Sequence, residues 1–145
     1  MIGIIVSGHG SFASGISSSV DLILGKQSNY EVIDFPYDSS ILNLEKLFDN
    51  AIIKLNDCDK IIILVDLFGG SPFNIAMKKV ITSDNLILYY GINLGMLIEL
   101  LSRIKFKKTL EEVQDEIVEI GRKQINIFDK NEMGYIENTN EMNVL

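Results

Sequence analysis

Two short runs, IGIIV at residues 2 to 6 and KIIILV at residues 60 to 65, contain no alternation of apolar and polar side chains. Strands of this kind are buried on both faces, and a sheet with helices packed on each side provides that burial. The segments between them supply the helices. From Ala13 onward Ile16, Val20, Ile23 and Leu24 recur at helical spacing, and Gly25 provides a C-terminal stop. Tyr30 to Phe35 reads as a second strand closed by Pro36. Ser39 or Ser40 then caps a helix whose apolar face runs through Ile41, Leu44, Leu47, Phe48, Ala51 and Ile52 to Leu55. After the strand Lys60 to Val65 and a loop from Asp66 to Ser71, Pro72 fits the first position of a helix ending near Ile81. Leu86 to Tyr90 gives a fourth strand, Asn93 to Arg103 and Thr109 to about Lys123 read as helices, and Ile125 to Phe128 as a short last strand.

This alternation predicts an α/β fold: an open, mostly parallel sheet with helices on both faces and right-handed crossovers. With strand order 2-1-3-4, crossovers leave strands one and three in opposite directions, and ligands bind outside the carboxyl ends of strands at such a point. The loops meeting there are Ser7 to Ser11 and Asp66 to Ser71. Residues 1–128 form the expected domain, and the polar, Asn-rich residues 129–145 a loose tail.

Composition removes several functional classes. The 145 residues are 47% hydrophobic, enough for one domain with a real core, and 20 acidic against 13 basic residues give a net charge of −7. No dense Lys/Arg run offers a footprint for nucleic acid. The single cysteine, Cys58, has no partner for an intrachain disulfide. With Asp57, Asp59 and no second histidine nearby, it makes a poor zinc set, so no metal and no cofactor are expected. The N-terminus lacks a basic leader and no apolar run reaches about eighteen residues, which points to a cytosolic chain.

The one histidine, His9, sits between Gly8 and Gly10 where the first apolar run stops. Across the switch point lies VDLFGGSPFN, residues 65 to 74. Asp66, ending a buried strand, can accept a hydrogen bond from one ring nitrogen of His9 and leave the other as a nucleophile. Gly69 and Gly70 permit close backbone approach, and Ser71 and Pro72 direct free amides and a positive helix end at the same place, which suits an anion. Each residue also has a plainer use: Asp66 as a turn carboxylate, Ser71 as an N-cap, the glycines as turn formers. Phe12, Phe68 and Phe73 flank the two loops, with burial as the default expectation and a docking surface as the alternative.

SGHG at 7 to 10, LVDLFGGSPFNIA at 64 to 76, GINLGMLIE at 91 to 99 and EIGRK at 119 to 123 together resemble the enzyme IIA domain of the mannose-family sugar phosphotransferase system, over roughly Met1 to Phe128. The resemblance implies a phosphotransferase with a phosphohistidine intermediate. His9 would take a phosphoryl group from the phosphocarrier protein HPr and pass it to enzyme IIB, serving the membrane IIC/IID complex indirectly. It implies that Asp66 orients His9, and that Ser71, Gly70, Gly69 and Gly10 surround the phosphoryl group. It also implies a homodimer that exchanges a C-terminal strand, here Ile125 to Phe128. Gly8, Phe68 and Gly95 stand where the family commonly has threonine, tryptophan and proline. The phosphotransferase subunit of dihydroxyacetone kinase and a non-catalytic regulatory module are the competing readings. A histidine phosphatase would need an Arg before the histidine and a second histidine, which the chain lacks.

Overall fold

The computed structural model describes residues 1–106 and 108–131. Four strands, β1 (Ile2–His9), β2 (Tyr30–Phe35), β3 (Lys60–Val65) and β4 (Leu86–Tyr90), alternate with α1 (Phe12–Leu24), α2 (Ile41–Lys54) and α3 (Ser71–Ile81), and α4 (Leu94–Lys105) and α5 (Leu110–Lys123) follow. All strand pairs are parallel, in the order β2-β1-β3-β4 anticipated from the sequence.

The two uninterrupted apolar runs form the central pair, where Ile4 stands beside Ile62 and Val6 beside Leu64. Side chains alternate faces along a strand, so each run feeds two cores. Ile4, Val6, Ile62 and Leu64 pack with Val20 of α1, Leu97 and Leu100 of α4, and Ile117 of α5. Ile5, Ile61, Ile63 and Val65 pack with Leu44 and Phe48 of α2 and with Phe73 and Ala76 of α3. Helix α1 therefore leaves β1 toward one face while α3 leaves β3 toward the other. The parting of these neighbours opens the crevice at their carboxyl ends.

Local signals explain several helix ends. Gly25 closes α1 with φ 80°, the Ser40 side chain accepts from Asn43 N–H at the start of α2, and Thr109 and Glu112 form a reciprocal capping box on α5. Asn93 caps α4 through Met96 N–H, and its amide donates to the Gly121 carbonyl of α5, tying these helices together.

Three expectations need correction. The N-cap of α3 is Gly70, so Ser71 and Pro72 are its first two helical residues, and no side chain caps this helix. Ile41 and Leu47 of the anticipated α2 face remain 60% and 38% exposed, while Leu44, Phe48 and Ala51 carry the packing of that helix against the sheet. Residues 125–128 form no strand within the chain, and Ile125, Ile127 and Phe128 are exposed. Residues 132–145, most of the anticipated tail, lie outside the described residues. No helix among the described residues is long and apolar enough to cross a membrane.

Ser7 is fully buried on β1, and its hydroxyl has no hydrogen-bond partner among the described residues. Because a buried hydroxyl without a partner is destabilising, Ser7→Ala should leave stability unchanged or raise it by about 1 kcal/mol in urea unfolding. Phe48→Ala, which empties a fully buried ring site, should lower stability by about 3–5 kcal/mol. A Ser7→Ala loss as large as that of Phe48→Ala would show that the hydroxyl is paired.

Candidate functional site

Strand β1 runs past its apolar stretch and delivers His9 to the sheet edge. Gly10, with φ 57°, turns the chain there, and it exchanges backbone hydrogen bonds with Phe35 at the end of β2 (2.7 and 3.2 Å). On the other side Val65 stands beside Ser7, so the next residue of β3, Asp66, reaches the level of the imidazole.

Asp66 Oδ2 accepts the backbone N–H of His9 at 2.9 Å and lies 2.7 Å from His9 Nδ1, while its Oδ1 accepts the N–H of Leu67 at 2.9 Å. The carboxylate is thus held from three directions. Its side chain is only 10% exposed, whereas the His9 side chain is 45% exposed. Burial alone would raise the Asp66 pKa; hydrogen bonds from the His9 backbone, the His9 ring and the Leu67 amide outweigh it and hold the carboxyl below its ordinary value. A carboxylate at this distance fixes the proton on Nδ1 and leaves Nε2 with its lone pair.

The other wall is the start of α3. A Cβ added to Gly70 would lie 2.5 Å from His9 Cε1 and 3.1 Å from Nε2, so the ring packs on bare backbone where only glycine fits. The uncapped first turn of α3 therefore begins beside the free nitrogen, with the amides of Ser71 and Phe73 outside the helical ladder and Pro72 contributing none. Helix α1 aims at the same edge, but there Asp34 of β2 accepts the N–H of Ser14 at 2.9 Å. One helix end is already met by a carboxylate and the other is open to an anion.

His9, Asp66 and Gly70 are thus brought into contact. Gly69 and Gly10 take positive φ (80° and 57°) with open space around them, so they shape turns rather than permit close packing. Phe73 is buried, but Phe68 is 68% exposed and stacks against Phe73 and Tyr90 at 4.8 and 5.3 Å. Phe35 meets the His9 ring edge-on at 6.1 Å. Asp34 and Phe35 were not singled out from the sequence. The available signal was their place at the carboxyl end of the strand beside β1 in a 2-1-3-4 sheet.

A carboxyl held below its ordinary pKa stabilises the fold fully above the unfolded value of about 3.9, and loses that effect as pH falls through the lower folded value. In urea unfolding from neutral pH downward, the stability gap between wild type and Asp66→Asn should stay constant to about pH 4 and shrink below it. A gap that closes well above about pH 4 would contradict the depressed pKa.

Residues 3–118 match the family described as "PTS system fructose IIA component". The chain is 31% identical over 102 residues to the fructose-specific EIIA component of the phosphotransferase system of Bacillus subtilis, covering 70% of each protein. It is 30% identical over 124 residues to the mannose-specific EIIAB component of Escherichia coli, covering 86% of this chain and 38% of that longer protein. Among solved structures, an EIIA component from Streptococcus agalactiae superposes with a TM-score of 0.79 at 29% identity, over 88% of this chain and 98% of the other. A IIA protein associated with a fucose utilization operon of Streptococcus pneumoniae gives 0.78 at 31% identity, over 87% and 92%. The chain belongs to the mannose-type EIIA family of the sugar phosphotransferase system.

Proposed function

We propose that this EIIA component is a phosphoryl relay: His9 accepts a phosphoryl group from phospho-HPr and passes it to a histidine of enzyme IIB. The observation that carries the reading is the 2.7 Å contact of Asp66 with Nδ1, which leaves Nε2 directed and accessible. In the first step the phosphorus–nitrogen bond of the donor breaks as one forms to His9 Nε2; in the second His9 is the leaving group. The proton stays on Nδ1 throughout, and Asp66 balances the positive charge of the phosphorylated ring. Gly70 and Ser71 at the α3 end, with Gly69 and Gly10 in the adjoining turns, form the phosphoryl cradle.

Nothing in this relay requires a cofactor, and the working place is the cytoplasm beside the IIC/IID transporter. Relatives bearing fructose, mannose and sorbose names favour sugar uptake over dihydroxyacetone phosphorylation. A purely regulatory binding module would leave the oriented imidazole without a use. The protein works as a homodimer by exchange of residues 125–128. Among the described residues strand β4 has an unpaired edge, the groove of about 430 Å³ beside it is lined by Leu88, Tyr90, Met96, Val118 and Ile125, and the side chains of Ile125, Ile127 and Phe128 are exposed.

Incubation with labelled phosphoenolpyruvate, enzyme I and HPr should give acid-labile label on wild type and none on His9→Ala; label surviving that substitution sinks the relay. Gly70→Ala should fold but load about 10–100-fold more slowly, since its methyl group displaces the ring. Asp66→Asn should slow transfer to enzyme IIB, and an unchanged rate would remove Asp66 from the mechanism. Light scattering should find a dimer that Ile127→Asp turns into a monomer; a monomeric wild type would refute the exchange.

A further inference from the structure

At the amino end of β1, the end of the strand opposite His9, lies a hollow of about 740 Å³. Its volume falls within the range of sites that enclose small organic ligands. The floor is aliphatic: Ile4 and Leu101 are 2% and 5% exposed, and Ile2, Leu24 and Ile104 are half-buried against the same core. Around it stand Lys26, Lys105 and Lys108, all exposed, and among the described residues no acidic residue lines the hollow. In a chain of net charge −7, three cations gathered around an apolar floor run against the overall balance.

The neighbouring acids answer only part of this rim: Glu112, whose carboxylate accepts the Thr109 N–H, also feels the charge of Lys108. Asp59 pairs with the Met1 ammonium group, and Asp21 pairs at 3.3 Å with Lys26 from outside the lining. Lys105 and Lys108 form no ion pair among the described residues. The walls are tied in place. Asn29, with φ 52°, accepts Ile4 N–H at its carbonyl (2.8 Å), and Lys108 N–H donates to the Arg103 carbonyl (3.2 Å). Gln27 and Ser28 add polar groups on the loop side.

From this juxtaposition we infer that the hollow is a binding site for a single-chain amphipathic anion, an alkyl carboxylate or alkyl phosphate, with its chain on the aliphatic floor and its head group against Lys105 and Lys108. Burying the half-exposed Ile2, Leu24 and Ile104 supplies the attraction, and the lysines select the charge. Among the described residues the lining has no aromatic ring to stack on a base or sugar and no carboxylate to grip hydroxyls, which disfavours nucleotides and carbohydrates. Its concave shape admits one chain rather than a bilayer surface.

The full chain, titrated with dansyl-labelled undecanoate below micelle formation, should give a saturable fluorescence rise at one probe per chain. Decanoate and decyl phosphate should displace the probe, and decanol should do so at least roughly tenfold less well. Lys105→Glu/Lys108→Glu, which alters only exposed residues, should weaken binding roughly tenfold, and Ile104→Trp should fill the floor and abolish it. Phosphoryl loading at His9 in both variants reports that they remain folded. Absence of a saturable rise, equal displacement by decanol, or binding unchanged in both variants would overturn the site. So would binding to phosphatidylglycerol vesicles without binding to the soluble probes, which would mark a membrane-facing patch instead.

Discussion

The hydrogen bond from His9 to the Asp66 carboxylate joins positions 57 residues apart, and it depends on the register of the central strand pair. Ser7 lies beside Val65, so β1 must extend two residues further and β3 one further for the imidazole and carboxylate to meet. That register is held by burial on both faces. A slip of one residue would turn Ile4 and Val6 into the core occupied by Ile5 and would carry His9 to the opposite face, away from Asp66 and Gly70. The packing of the core and the placement of the site are therefore one constraint.

The same geometry distinguishes two places where an anion could be held. Two helix ends approach His9, and their dipoles have the same sign. At α1 the Asp34 carboxylate takes the Ser14 amide; at α3 the N-cap is Gly70 and no side chain intervenes. In the proposed relay the phosphoryl group also meets a countervailing charge. At about 6 Å from Asp66, with an effective dielectric of about 20, each charge pair costs roughly 3 kcal/mol. Hydrogen bonds to the anion contribute about 1.5–3 kcal/mol each, and a helix end up to about 2 kcal/mol. Attraction and repulsion of similar size leave the group bound without a deep well, which onward transfer requires.

Much of this was legible in the chain because it follows from local pattern. KIIILV and IGIIV mark strands covered on both faces, helical spacing marks the crossovers, and order 2-1-3-4 brings His9 toward Asp66 without knowledge of any side-chain position. What escaped was non-local. Proline fits either of the first two positions of a helix, so Pro72 could not decide whether Ser71 or Gly70 was the cap. Asp34 caps a helix from another strand, and no spacing rule announces such a contact. Ile41 and Leu47 obey the helical period yet stay exposed. For Ile125 to Phe128 the alternation suits a strand, yet no strand of the sheet pairs with it among the described residues. The hollow at the amino end is lined by residues of β1, the end of α1 and α4 that are far apart in the chain, which a linear pattern does not encode.

An imidazole that hands a group to another protein must project beyond its own surface, whereas one that acts on a small molecule gains from enclosure. His9 combines a nearly buried partner with a ring close to half exposed, so orientation comes from within and reach is kept outward. Its surroundings carry the complementary feature. Leu67 and Phe68, 50% and 68% exposed, adjoin the Asp66 turn, and Phe68 rests on Phe73 and Tyr90, which hold its ring outward at little conformational cost. Covered by a docking protein, this rim would exclude water from the phosphorus–nitrogen bond during transfer; uncovered, it leaves the nitrogen open to the next partner. A deep pocket would protect the bond and prevent the encounter, so an oriented nitrogen on an apolar-rimmed open edge is the compromise that suits a relay between proteins.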